Sequence, residues 1–335
     1  MFRRILASIA LIIAAAGLLV IAWPSLFHLQ RAPFIAQLVS LRGAAVAAAF
    51  VAVVILLLLV LVSRAFRRFG SALALLVLVF GLVNVAVLAT RGIGNPSFTT
   101  KSSSDITVLS WNTLGDAPHA EGIASLALET GADVVTLPET TKATADAVAA
   151  IMQAGGHPMT VHSIAFGHVS KSRSTSLLMS TRLGKYRLDG TVGTTSTLPT
   201  IVARPVTGSG PSIIAVHAVS PMPSELGHWR SDLTWLSKQC TGNTIMAGDF
   251  NSTLDNMVGL ATSGKSFGNC TDAASVTKNA AVGTWPTALP ALLGAPIDHV
   301  MVTDGWRVTG MRVIENQDNA GSDHRPIVAQ LQHAR

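Results

Sequence analysis

Three stretches without a single charged side chain, residues 5–23, 43–62 and 71–89, limit what this chain can fold into more than anything else in it. Each is roughly 20 residues long, enough as a helix to cross a hydrocarbon core of about 30 Å. One buried core helix can be this apolar. Three in succession, joined by short arginine-bearing loops, describe a membrane domain of three transmembrane α-helices. They account for a composition that is 49% hydrophobic and only 13% charged, too greasy for an ordinary soluble protein.

Charge divides the chain at the same place. Residues 1–100 hold eight Arg and no Lys, Asp or Glu, a balance of +8. The other 16 basic residues meet all 18 acidic ones, so residues 101–335 carry −2. The basic pI therefore belongs to the membrane part. A binder of long nucleic acid carries its positive field on the working domain, because phosphate neutralisation supplies most non-specific affinity. This domain has no such field in bulk, and nucleic acid is a possible but disfavoured partner.

Arg3 and Arg4 precede the first stretch, and Arg64, Arg67 and Arg68 lie between the second and third, which assigns both segments to the cytoplasmic side. The chain beyond residue 89 is then expected on the outer face of a plasma membrane. The first stretch is longer than the 7 to 15 apolar residues of a typical signal peptide, so it is expected as an uncleaved anchor. Arg42, at the margin of the second stretch, is expected to snorkel to the headgroups. Asn84, inside the third, is expected to make a helix–helix hydrogen bond. The predicted domains are a membrane domain over 1–92, a linker over 93–104 marked by Gly94-Asn95-Pro96 and Ser102-Ser103-Ser104, and a folded domain over 105–335. Cys240 and Cys270 either close one disulfide or remain two buried thiols.

In the folded domain, apolar and β-branched runs repeatedly deliver a polar residue at their ends. Residues 106–111 lead to Asn112, 133–137 to Glu139, 212–216 to His217, and 244–247 to Asp249 and Asn251. The run 297–302 begins with Asp298 and His299, and the run 327–331 follows Asp323, His324 and Arg325. Further strands are expected at 177–179 and 200–203. Helical spacing shows in Ile123, Leu126 and Ala127 ahead of Gly131, in the Ala-rich stretch 143–150, and in Leu226, Trp229, Leu233 and Leu236. So many strands with so few helices predict two packed sheets flanked by helices.

Each of these polar residues alone has a bland explanation as a cap, turn or core histidine. Together they include Glu139, Asp249, Asp298 and Asp323, and two carboxylates 4 Å apart repel by about 4 kcal/mol at an effective dielectric of 20. Convergence would require a bound cation or protonated carboxylates. Oxygen donors without Cys or His at zinc spacing suit Mg2+, Mn2+ or Ca2+, and such donors beside His and Asn suit phosphoester hydrolysis.

The motifs Trp111-Asn112, Leu137-Pro138-Glu139, Val216-His217, Gly248-Asp249-Phe250-Asn251, Ile297-Asp298-His299 and Ser322-Asp323-His324-Arg325-Pro326 occur in the order of the endonuclease/exonuclease/phosphatase superfamily. Residues 105–333 resemble that superfamily, and the layout is similar to its membrane-anchored bacterial members, including Gly283-Thr284-Trp285-Pro286. The resemblance implies a four-layer α/β sandwich of the deoxyribonuclease-I-like type and a metal-dependent phosphoric ester hydrolase. It implies Glu139 as principal metal ligand with Asn112 and Asp323 beside it, and Asp249 and Asn251 as residues that position water and phosphate. His324, oriented by Asp298, and His217 would form a histidine pair at the transition state. Trp285, His299 and Arg325 are candidate substrate contacts, with strand packing the favoured reading for His299 and a solvated loop the equal alternative for Arg325. Leu114 stands where some family nucleases carry an acidic residue, which bears on a second metal. The expected substrate is a phosphomonoester or phosphodiester, an envelope lipid or glycan phosphate among the candidates; an extracytoplasmic nuclease and a catalytically silent binding module are the alternatives.

Overall fold

The computed structural model describes residues 2–94, 97–167, 170–208 and 210–334, so Asn95 and Pro96 of the expected linker lie outside the described residues. The apolar stretches form α1 (Phe2–Ala22), α3 (Arg42–Val62) and α4 (Arg67–Arg91), with the short α2 (Ile35–Ser40) between the first two. All three long helices are long and apolar enough to cross a membrane. Where α3 meets α4, a Cβ built on Gly81 would lie 3.3 Å from that of Ala49, so small residues set the close approach.

Arg42 does not snorkel. It is 5% exposed, and its Nε and Nη2 hold the two carboxylate oxygens of Asp255 at 2.9 and 2.8 Å. Its Nη1 donates to Asn84 Oδ1 at 2.6 Å and to Ala22 O at 3.2 Å. Arg91, the last residue of α4, adds a second guanidinium 2.8 Å from Asp255 Oδ1. The fixed donor fork of arginine matches a carboxylate bidentately, and here a buried one is within reach. Asn84 thus makes its interhelical bond to the first residue of α3.

The rest of the chain runs β1 (Ile106–Ser110), α5 (His119–Thr130), β2 (Val134–Pro138), α6 (Lys142–Ala154), β3 (Met159–Ala165), β4 (Ser174–Ser180), β5 (Tyr186–Leu188), β6 (Ile201–Pro205) and β7 (Ser212–His217). It continues through α7 (Leu226–Gln239), β8 (Thr244–Asp249), α8 (Leu254–Met257), β9 (Thr271–Asp272), α9 (Ala273–Val276), β10 (Asp298–Val302), β11 (Trp306–Val313) and β12 (Ile327–His333). Gly131 ends α5 in the left-handed conformation, φ 60°, as a C′ glycine does.

The described strands form two six-stranded mixed sheets, ordered β11-β12-β1-β2-β4-β3 and β5-β6-β7-β8-β10-β9. Side chains alternate between faces along each strand, which sorts the core into layers. Val108, Val134 and Leu177 of the first sheet meet Ile213, Ile245 and Val300 of the second between the sheets. Their neighbours Leu109, Val135 and Leu178 face the other way, under α5 and α6. On the far side Met246 and Met301 pack under Trp229, Leu233 and Leu236 of α7. The result is the four-layer α/β sandwich of deoxyribonuclease-I type. Ala36 of α2 is fully buried in that last cluster, so the loop between the first two long helices belongs to the core of the domain that follows β1. Cys240 and Cys270 are joined in a disulfide, Cα atoms 5.8 Å apart, which settles the alternatives left open by sequence.

Candidate active site

Strand register builds the site. Within the second sheet His217 of β7 pairs with Asp249 of β8, and Asp249 pairs with Asp298 of β10, so three polar side chains stand level on adjacent strands. Gly248 allows that approach: with φ at 148°, a Cβ there would sit 2.0 Å from the carbonyl oxygen of Val216. After Asp249 the chain turns through Asn251, φ 46°. Its backbone N–H donates to Asp249 Oδ1 at 2.7 Å, and its Nδ2 donates to Asp249 Oδ2 at 3.1 Å and to Ala218 O at 2.9 Å. This Asx-turn closes the strand and aims the carboxylate at once.

The first sheet supplies the facing side. Trp111 N to Thr136 O and Thr113 N to Pro138 O, both 3.0 Å, prolong the β1–β2 pairing, and so bring Asn112 beside Glu139. Asn112 Nδ2 donates to Glu139 Oε1 and to Asp249 Oδ2, each at 3.1 Å, and stitches the ends of the two sheets together. Glu139 has φ 56°, a left-handed strain of about 1 kcal/mol or more that a non-glycine residue ordinarily avoids.

His324 precedes β12 and is held from several directions. Trp111 Nε1 donates to its carbonyl at 2.8 Å, and Ser322 Oγ accepts its N–H at 3.0 Å while donating to Asn112 O at 2.6 Å. His324 Nδ1 lies 2.9 Å from Asp298 Oδ2, and Nε2 lies 3.8 Å from Asp249 Oδ2. A continuous polar chain thus runs Glu139, Asn112, Asp249, His324, Asp298. His217 is fully buried, its Nδ1 3.0 Å from Thr175 Oγ1 and its Nε2 without a partner among the described residues. Asp323 accepts from Trp285 Nε1 at 2.9 Å through Oδ2, and its Oδ1 is buried and unpaired among the described residues.

Burial pushes the Glu139 carboxyl up; the Asn112 hydrogen bond and His324 oppose this, and the charge of Asp323 adds to it. Burial raises Asp249 as well, against the pull of His324. For His324 burial disfavours the charged form, but Asp298 and Asp249 outweigh it and hold the ring as an imidazolium. Burial, helped by the charge of His324, drives His217 down to about 3, so at neutral pH it is an uncharged hydrogen-bonding ring.

Among the described residues, the ion pairs to Asp249 and Asp298 come from His324 alone, and Glu139 and Asp323 have none. Hard oxygen donors left without a cation, one of them the orphaned Asp323 Oδ1, fit a divalent ion. Asp249, Asp298 and His324 also place one ligand atom each within 4.8 Å of one another, a second arrangement able to hold an ion.

Two candidate substrate contacts are placed elsewhere. His299 is 2% exposed, with Nδ1 3.1 Å from Asp272 Oδ1 and Nε2 2.9 Å from Ser252 O, edge-on to Phe250; both ring nitrogens are occupied inside the core. Arg325 is 1% exposed and donates to Asp318 Oδ2 at 2.6 Å and Leu289 O at 2.7 Å, so it is neither solvated nor free for phosphate. It braces the loop that carries Trp285, which borders the site at 36% exposure. Thr175 and Thr200 stand outside the quoted motifs, and Thr284 and Ser322 within them had no assigned role; all four fix His217, Asp298 or His324. A hydroxyl in a strand or turn carries no signal of that role.

A match to the endonuclease/exonuclease/phosphatase family spans residues 109–324, from β1 to His324. The chain belongs to this family. Solved structures with a similar fold include a family member from Beutenbergia cavernae (17% identity, 69% of this chain and 72% of that one, TM-score 0.50). A humanized D. rerio TDP2 with 14 mutations is similar at 18% identity, 69% and 100% coverage and TM-score 0.52. The AP endonuclease LMAP of Leishmania major is similar at 15% identity, 74% and 95% coverage and TM-score 0.53. At these identities the likeness is one of fold. No curated protein matches the chain.

Proposed function

We propose that this family member is a divalent-metal-dependent phosphoesterase, anchored in the plasma membrane by α1, α3 and α4 with its catalytic domain on the outer face. The observation that carries the activity is the polar chain from Glu139 through Asn112 to Asp249, which faces the hydrogen-bonded His324–Asp298 pair across a 3.8 Å ion pair and is assembled from both sheets. Glu139, Asp323 and, through its amide, Asn112 are the residues that would hold Mg2+, Mn2+ or Ca2+. When bound, the ion supplies neutralisation of the carboxylates and polarisation of a phosphoryl oxygen.

Hydrolysis joins a water oxygen to phosphorus and breaks one P–O ester bond, whose electron pair leaves with the ester oxygen. One proton must leave the water and one must reach the departing oxygen. Asp249 and Asn251 orient the water. His324, oriented by Asp298, presents its Nε2 proton where negative charge builds, and neutral His217 adds a hydrogen bond. The arginine pattern and the disulfide support the outer face, since disulfides persist in oxidising compartments. The acidic balance of the outer domain and the tether favour an envelope lipid or glycan phosphate over nucleic acid.

The test is hydrolysis of p-nitrophenyl phosphate and bis(p-nitrophenyl) phosphate by the full chain in detergent. Activity is expected to require added divalent metal and to fall at least about 1,000-fold in His324→Gln and Asp249→Asn, within the range of general acid–base contributions. Turnover that persists in both variants, or in chelator, rejects the assignment.

A further inference from the structure

A cleft of about 470 Å³ opens beside the catalytic side chains, and its wall is almost entirely apolar. Leu41, Met222, Pro223 and Ile297 line it, and Asn251 and Trp285 form the end nearest the site. Both of those residues touch the polar cluster, Asn251 through Asp249 and Trp285 through Asp323. The opposite wall comes from the membrane part: Gln37 donates to Pro221 O across the seam, and Leu41 is the residue from which α3 departs. The loop that carries Trp285 also rests on that helix, because a Cβ on Gly43 would fall 1.7 Å from Leu292 O. Met222 in the lining is 55% exposed, and Phe34 and Leu38 at α2 and Leu292 in the loop against Gly43 are exposed at 74%, 49% and 47%.

We propose that this cleft holds the hydrocarbon chain of a membrane-resident phosphoester, whose phosphate then lies among Asn112, Glu139, Asp249 and His324. The inference rests on the phosphoesterase reading and specifies its substrate class as a lipid phosphate. Three observations fix the occupant. The wall offers an alkyl chain contacts but offers a sugar or base few hydrogen-bond partners. One end of the cleft is continuous with the polar cluster, as a headgroup and tail joined by one ester require. The other wall is the start of a helix that the proposed topology places in the bilayer, and exposed apolar side chains stand on the elements that meet there, so a lipid reaches the cleft along apolar surface.

The chain-length dependence of the full protein decides the matter. Ethyl, butyl, hexyl and octyl p-nitrophenyl phosphates are compared by kcat/KM, and the matching alkylphosphonates by calorimetry, which reads binding without turnover. The expected slope is about fourfold per methylene until the cleft is full, the equivalent of about 0.8 kcal/mol per buried CH2. Met222→Glu, a change at an exposed position, is expected to lower the octyl-to-ethyl ratio at least tenfold; partition into detergent is common to both proteins and cancels. A flat series, an unchanged slope in Met222→Glu, or preference for the p-nitrophenyl ester of thymidine phosphate over the octyl ester overturns the proposal. Phosphonate binding that climbs with chain length while no ester is hydrolysed keeps the cleft assignment and removes the phosphoesterase reading instead. Hydrolysis with no chain-length effect in either assay does the reverse.

Discussion

Asp255→Ala tests the junction between the long apolar helices and the loop that follows β8. The carboxylate stands six residues after Asp249 and accepts two hydrogen bonds from Arg42 and one from Arg91, all between 2.8 and 2.9 Å. Side-chain exposure is 6% for Arg42 and 16% for Arg91, so water would do little to replace a lost partner. Two unit charges at about 4 Å attract by about 4 kcal/mol at an effective dielectric of 20, and leaving a buried partner unpaired costs about 3 to 5 kcal/mol. Arg42→Met is expected to cost less, because Arg91 still holds the carboxylate. Amide exchange over Asn256, Met257 and Val258, whose N–H groups bond back to Thr253 and Asp255, reads the local opening. Three kcal/mol corresponds to about a 150-fold loss of protection. Burial raises the Asp255 pKa, but Arg42 and Arg91 lower it further, so its folded value lies below the unfolded one. The stabilisation is therefore complete above the ordinary carboxylate range and is lost as pH falls through the depressed value. A loss of protection under tenfold in Asp255→Ala at neutral pH would refute the reasoning.

Buried His217 predicts an acid sensitivity. Its folded pKa of about 3 lies under the ordinary 6.5, so its contribution is present above pH 6.5 and is lost as pH falls towards 3, at about 1.4 kcal/mol per unit. His217→Asn should lose about 2.5 kcal/mol less stability than the parent between pH 6.5 and 4.5, read from urea midpoints; parallel curves would sink this. For topology, a phosphatase reporter fused at the C-terminus is expected to be active, and Cys240 and Cys270 to resist alkylation until a reductant is added. A silent reporter with freely alkylated cysteines would turn the outer domain to the inside.

The site motifs were legible because each lies at one end of an apolar run that had to be a buried strand, so that end had to surface at a sheet edge. What linear reading could not supply was register. That His217, Asp249 and Asp298 stand level depends on pairings between strands up to about 50 residues apart, and only the folded sheet states them. Strands β3, β5 and β11 escaped because their side chains are largely half-exposed or exposed, which breaks the alternation that marks a strand. Arg42 and Arg325 were misjudged for one reason. An arginine at a helix margin or in a turn ordinarily keeps its head in water; what overrules this is Asp255, 213 residues away, for Arg42, and for Arg325 the nearby Asp318 together with carbonyls of the loop that carries Trp285.

The burial of Ala36 in the core around Trp229 bears on how the protein is made. α2 leaves the ribosome some 170 residues before β7 and 200 before β8, yet the layer it completes forms only once those strands exist. If α1 and α3 insert as proposed, the early loop reaches the compartment of the following domain before the strands it packs against, and insertion of that helix pair precedes completion of the domain. A gene fragment trimmed to begin at residue 105 would lack the side chain that plugs this layer and the Gln30, Arg31 and Gln37 bonds around it. Soluble expression of such a fragment calls for a redesigned surface there, or for the first loop supplied as a separate peptide.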